Sequence, residues 1–109
     1  FPIAVPEGSA AQQAAALAPD ARVVAAFHHV SAVLLADLDH DLDIDIMVLG
    51  DDREATDEVI ALADRVPGMR GVYAGRLRNA AQVESLTANL ISINRRYKVH
   101  AGIRVTDLP

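Results

Sequence analysis

Residues 23–27 read VVAAF, five apolar residues in an unbroken run, and His28 and His29 follow at once. A strand with one face in water alternates apolar and polar side chains. An uninterrupted run of this length instead predicts a strand covered on both faces, as in a parallel sheet. Such a strand needs sheet neighbours beside it and helices above and below, so this segment asks the rest of the chain for an α/β layered fold.

The flanking sequence supplies the pieces. Ser9 with Gln12 fits a capping box and opens an alanine-rich helix to about Leu17, stopped by Pro19-Asp20. Ser31 caps a short predicted helix, SAVLLADL, and DHDLD follows as a polar loop. Asp43 to Leu49 alternates and then turns apolar, which predicts a second strand closed by Gly50. Asp51 and Glu54 read as the next capping pair, before a helix from about Arg53 to Val66 that buries Val59, Ile60, Leu62, Ala63 and Val66. Pro67-Gly68 ends it, and Gly71 to Ala74 is a third short strand. Beyond Gly75, the spacing of Val83, Leu86, Leu90, Ile93 and Tyr97 predicts a long helix. Gly102 stops the helical region, and IRV reads as a short terminal strand. Three strands are few. The first could lie at an edge, and an apolar open edge invites pairing with another chain. The sheet is expected either to continue elsewhere or to associate.

At 109 residues, half of them apolar, there is room for one globular domain with a modest core. No apolar run is long enough to cross a bilayer, and FPIAVPEG lacks the basic start of a secretory signal. The first residue, Phe1, leads us to expect part of a longer protein. The absence of cysteine excludes disulfides, thiolate catalysis and cysteine metal sites, and is compatible with a cytoplasmic setting. Net charge is −5, unevenly placed: residues 1–64 hold 13 acids against Arg22 and Arg53, whereas residues 65–109 hold eight bases against Glu84 and Asp107. The second segment suits a small anionic ligand, or is a solubilising surface partly paired with the first. With four aromatics in an acidic chain, nucleic acid is not an expected partner.

His28 and His29 are expected at the carboxyl end of a parallel strand, where open α/β sheets gather ligands. Successive strand side chains point to opposite faces, so only one histidine need face a ligand. Read alone, the pair suits a hydrogen-bonded structural role, and a neutral imidazole also suits a binding wall. Asp37, Asp39, His40, Asp41, Asp43 and Asp45 crowd one stretch, but without the glycine and closing glutamate of a calcium loop, and no metal site is expected. GRLRN (75–79) could offer an anion site before the long helix, or a tight turn with exposed arginines. Arg95, Arg96, Lys98, His100 and Arg104 cluster around the end of that helix, where its dipole favours cations. Gly102 would permit close backbone approach to a planar ligand, or merely stop the helix. No GxGxxG, P-loop or GxSxG occurs.

Taken together, VPEGSAA (5–11), VVAAFHHVSA (23–32), DIMVLGDDREA (45–55), GVYAGRLRNA (71–80) and VESLTANLISINRRYKVHAGI (83–103) resemble the C-terminal half of the NADPH-dependent coenzyme F-420 reductases, also called F-420:NADP oxidoreductases. The resemblance implies the C-terminal part of a Rossmann-like, mostly parallel sheet followed by a long C-terminal helix. It implies residues 1–78 as the second half of a Rossmann-like NADP-binding domain whose first half is absent, and 79–109 as a helical dimerisation and deazaflavin-capping segment. The implied activity is hydride transfer between NADP and the deazaflavin of coenzyme F-420, in a homodimer.

The resemblance carries roles to particular residues. His28, His29, Val30, Ser31 and Ala32 would line the cofactor rings, with His28 positioning the deazaflavin. His100, Ala101, Gly102 and Ile103 would close over it, Leu77 and Asn79 would flank the same cleft, and Arg78 and Arg96 would meet the cofactor's anionic tail. The family's glycine-rich phosphate loop has no counterpart here, so the isolated chain is expected to be inactive. Two other readings stand beside this one: a non-catalytic α/β half-domain that binds or completes a partner chain, and a divalent-metal enzyme using the aspartate-rich loop.

Overall fold

The computed structural model describes residues 5–36 and 42–109. Helix α1 (Ala10–Leu17) starts where Ser9 Oγ accepts from the Gln12 N–H at 3.1 Å, as its spacing predicts. Such a cap contributes about 1 kcal/mol. Strand β1 (Val24–Ala25) and the short helix α2 (Ala32–Ala36) follow. The predicted continuation of α2 and the loop residues Asp37, Asp39, His40 and Asp41 fall outside the described residues. Next come β2 (Ile44–Gly50), α3 (Arg53–Asp64), β3 (Met69–Gly75), a 3-10 turn (Leu77–Asn79) and α4 (Ala80–Tyr97).

The sheet has the order β1-β2-β3. The α/β architecture and the long closing helix are as expected, but strand direction differs at β1. Strands β2 and β3 are parallel, whereas β1 runs antiparallel to β2, with Val24 opposite Gly50 and Ala25 opposite Leu49. The unbroken apolar run therefore marks an edge strand, whose Ala25 is buried while Val24 is half-buried.

Strand alternation divides β2 between two cores. Ile44, Ile46 and Val48 face α3, joined by Ala63, Val59 and Ile60, with Leu34 of α2. Leu49 and Met47 face the other layer, where Ala25, Leu77, Ala80, Val83 and Ala15 meet. On α3, Leu62 lies outside the core at 56% exposure, against expectation. Its cap is Asp52, not Asp51: Asp52 Oδ1 accepts from the Ala55 N–H, while Asp51 Oδ1 accepts from the Leu77 N–H at 3.1 Å and ties α3 to the end of β3. On α4, Val83 and Leu90 are buried but Ile93 and Tyr97 face outward, because no described element covers that part of the helix.

The IRV segment is not a strand. It lies as an extended strap across the amino-terminal half of β2, where the Asp45 N–H donates to the Ile103 carbonyl at 2.7 Å.

Candidate functional site

The site begins where β1 stops. Phe27 has φ +65, a left-handed conformation that costs a bulky residue of order 1–3 kcal/mol. That single residue ends the strand and cancels the expected alternation. His28 and His29 both reach the same groove, their ring centroids 6.0 Å apart. Because β1 is antiparallel, the imidazole turn lies beside the interior of β2 and not at the carboxyl ends of the parallel pair, which corrects the sequence expectation.

The two imidazoles differ. His29 is buried, and its Nε2 lies 2.7 Å from the Val83 carbonyl. A carbonyl only accepts, so the proton sits on Nε2 and this histidine fastens the turn to α4. His28 is half-buried, and its Nδ1 is enclosed with no hydrogen-bond partner. Burial pulls the His28 pKa below its ordinary 6.5; Glu84 opposes this and His29 adds to it. His28 therefore favours the neutral ring and has an unmet hydrogen bond, a combination that suits a ligand wall.

The groove has a volume of about 170 Å³. One side is His28, His29, Val30 and Ser31; the other is Thr87, Leu90, Ile91 and Asn94 of α4, with Ala101 at the end. The turn and the C-terminal segment thus meet across a slot whose walls mix apolar and polar side chains. Asn94 Oδ1 accepts from the Ala101 N–H at 2.7 Å, which fixes the orientation of that amide. Ser31 Oγ lies 3.4 Å from His100 Nδ1, and also faces the Leu34 N–H at the start of α2. Thr87, Leu90, Ile91 and Asn94 were missed as site residues. Their i, i+3, i+4, i+7 spacing was available as a signal, but it reads equally as core.

The other expected site residues sit elsewhere. Gly102 packs on β2, where an added Cβ would lie 3.1 Å from Ile44 Cβ, and Ile103 gives its carbonyl to Asp45. Ala32 opens α2, and its side chain is outside the described residues. Leu77 is buried in the core between β2 and α4, with Arg78 exposed and Asn79 half-buried beside it, and none of the three lines the groove. Arg96 is exposed in the last turn of α4 and has no ion pair among the described residues.

A larger cleft of about 400 Å³ opens at the carboxyl ends of β2 and β3, lined by Asp51, Arg53, Thr56, Asp57, Tyr73 and Arg76. Its charges are mixed, Arg53 pairs with Asp57, and the buried Thr56 hydroxyl donates to the Arg53 carbonyl. It leaves no buried polar atom without a partner, so the smaller groove is the better candidate. Among the described residues no cluster of histidines and carboxylates is arranged to hold a metal ion, and no helix is long and apolar enough to cross a membrane.

No family model matches the chain. Curated proteins do: one from Methanocaldococcus jannaschii, named F420-dependent NADP reductase, is 39% identical over 104 residues, covering 94% of this chain and 47% of that protein. Proteins of the same name from Methanothermobacter marburgensis and Methanothermobacter thermautotrophicus are 40% and 41% identical over 106 residues. The chain spans about half the length of these relatives. A crystal structure of a candidate F420-dependent NADP reductase from Arthrobacter sp. FB24 superposes with a TM-score of 0.80 at 22% identity, over 94% of this chain and 48% of that one, and so shares the fold.

Proposed function

Starting from a chain that corresponds to the C-terminal half of the F420-dependent NADP reductases, we infer that the whole protein is an oxidoreductase passing a hydride between NADP(H) and coenzyme F-420. This chain would supply one wall of the slot that holds the deazaflavin. The observation that carries the reading is the groove where His28, whose enclosed Nδ1 has no partner, meets Leu90 and Ile91 of α4 and Ala101 of the C-terminal segment. Apolar side chains interleaved with a few polar groups suit a heteroaromatic ring. The chain's own residues do not fit the other cofactor: with no glycine-rich loop there is no cradle for the NADP phosphates, and those contacts must come from outside these 109 residues.

When bound, the deazaflavin supplies the two-electron centre; the protein's part is to orient and to exclude water. A rotation of the His28 ring would bring Nδ1, enclosed in this structure, to a polar edge of the ligand. His29, through Val83, would hold the turn in place. Asn94 and Ser31 would fix the capping residues Ala101 and His100. Arg78 and Arg96 have charge suited to an anionic tail but lie away from the groove, and we give them no contact with the ring. We place residues 1–78 as the second half of a Rossmann-like domain and 79–109 as the capping segment, in a cytoplasmic homodimer formed through α4.

Fluorescence titration of the whole protein with coenzyme F-420, with and without NADP, tests the reading. Saturable binding is expected, weakened roughly tenfold in His28→Ala, about the worth of one lost hydrogen bond. A flat titration would end the reading, and unchanged affinity in His28→Ala would end that residue's role. The open edge of β1 favours one further reading, a half-domain that completes a partner's sheet, and that reading predicts association with no deazaflavin binding.

A further inference from the structure

The strap formed by residues 101–105 has little to hold it by hydrophobic burial. Ile103 and Val105 are half-buried, and Gly102 and Arg104 are exposed. Yet it carries Ala101 to the groove wall. Its anchor is polar and centred on Asp45, whose carboxylate has no exposed surface. Arg70 of β3 holds that carboxylate with two bonds, Nε to Oδ1 at 2.9 Å and Nη2 to Oδ2 at 2.7 Å. The Val105 N–H donates to Oδ2 at 2.6 Å, and Arg70 Nη2 also donates to the Val105 carbonyl at 2.9 Å. The Asp45 backbone N–H takes the Ile103 carbonyl, and Arg104 lies close to Asp43 and Asp45.

A buried ion pair is weak evidence of stability, since a well-packed apolar pair often serves as well. What an apolar pair cannot do is accept a backbone N–H. The carboxylate and the guanidinium together engage both polar groups of Val105, which fixes the strap along its length as well as its height above β2. At the other end, Asn94 fixes Ala101. Ala101, where the strap begins, is the end wall of the groove, and the strap beyond it runs from that tie to the one at Val105.

We propose that Asp45 is a positioning residue for the ligand: with Arg70 it clamps Val105, and so sets where His100 and Ala101 stand at the groove beside His28. The inference rests on the deazaflavin reading for the ligand's identity, but the clamp itself stands on the geometry.

Two variants of the whole protein test it, Asp45→Asn and Val105→Pro. The second removes the N–H from which Asp45 accepts while both members of the ion pair with Arg70 stay in place, so it carries the test if the first does not fold. Both are expected to raise the KM for coenzyme F-420 roughly tenfold or more, the worth of a charge-assisted hydrogen bond, while the KM for NADP stays within about twofold. A loss of folded protein would lower turnover without separating the two constants. Amide hydrogen exchange without any ligand is the second readout: exchange over residues 101–106 should quicken in both variants while residues 46–49 of β2 stay protected. A strap whose exchange is unchanged, or one that loosens with no change in F-420 KM, would overturn the proposal. If the unaltered protein does not bind coenzyme F-420 at all, the ligand reading fails on that result alone, and the exchange comparison decides the clamp.

Discussion

His28 combines a buried ring with an unmet hydrogen bond, and both set its response to acid. Burial lowers its pKa in the fold below the ordinary 6.5. Between that lowered value and 6.5 the unfolded chain binds more protons than the folded one, so stability rises with pH across that window. The contribution is fully present above 6.5 and is lost as pH falls through the folded value. Thermal melts from about pH 7 to about pH 5 should therefore show a steeper loss of Tm in the unaltered protein than in His28→Gln, which cannot charge. Parallel curves would contradict the burial of this ring. Asp45 acts in a lower window. Hydrogen bonding to Arg70 leads in holding its pKa below 3.8, so what it contributes is present above that value and fades as pH falls through the folded one. Two separate acid-sensitive steps follow, the upper one belonging to the groove.

Among the turns that join elements, the one between α3 and β3 tolerates least change. Gly68 has φ +78, and a Cβ there would sit 1.4 Å from the Leu42 carbonyl oxygen, while the Ile44 N–H donates to the Gly68 carbonyl at 3.1 Å. Gly68→Ala is expected to cost about 3 kcal/mol or more, since both the backbone and the space forbid a side chain. Urea unfolding measures it, and a loss below about 1 kcal/mol would mean that the turn relaxes freely. This Pro67-Gly68 stop was legible in the sequence, as were the Ser9 cap, the extents of β2 and α3, and the long helix. These features depend on neighbours within one or two turns of chain. The direction of β1 was not legible, because an apolar run carries no sign of which way it pairs. The shift of the cap from Asp51 to Asp52 was missed for a related reason: Asp51 is claimed by Leu77, 26 residues away. In the candidate site, the imidazole turn and Ala101 were legible through motif resemblance. Asp45 was placed at the start of the second strand, in an aspartate-rich stretch that reads as solvated, and only the arrival of Arg70 and the strap shows why it is buried.

The whole molecule has a three-stranded sheet whose outer edges, on β1 and on β3, carry no further strand among the described residues. Its longest helix shows Ile91, Ile93 and Tyr97 to solvent, with Tyr97 71% exposed. A domain of this size buries a smaller share of its surface than a large one, and the net stability of such domains is only about 5–15 kcal/mol. Open edges and an uncovered helix face subtract from that margin, and both are relieved by association. The 109-residue chain alone should therefore gain stability from its own concentration: Tm should rise across about 1 to 100 μM, with sedimentation showing species larger than the monomer. The face that matters can be separated from the edges. Ile93 and Tyr97 lie one turn apart on α4 and outside the groove, so Ile93→Asp with Tyr97→Asp should abolish the concentration dependence if α4 is the dimer face. If the dependence persists, the sheet edge is the sticking surface and the helical dimer is wrong. A sharp monomeric boundary with constant Tm in the unaltered chain would show that its two small cores, one on each side of β2, suffice without a neighbour.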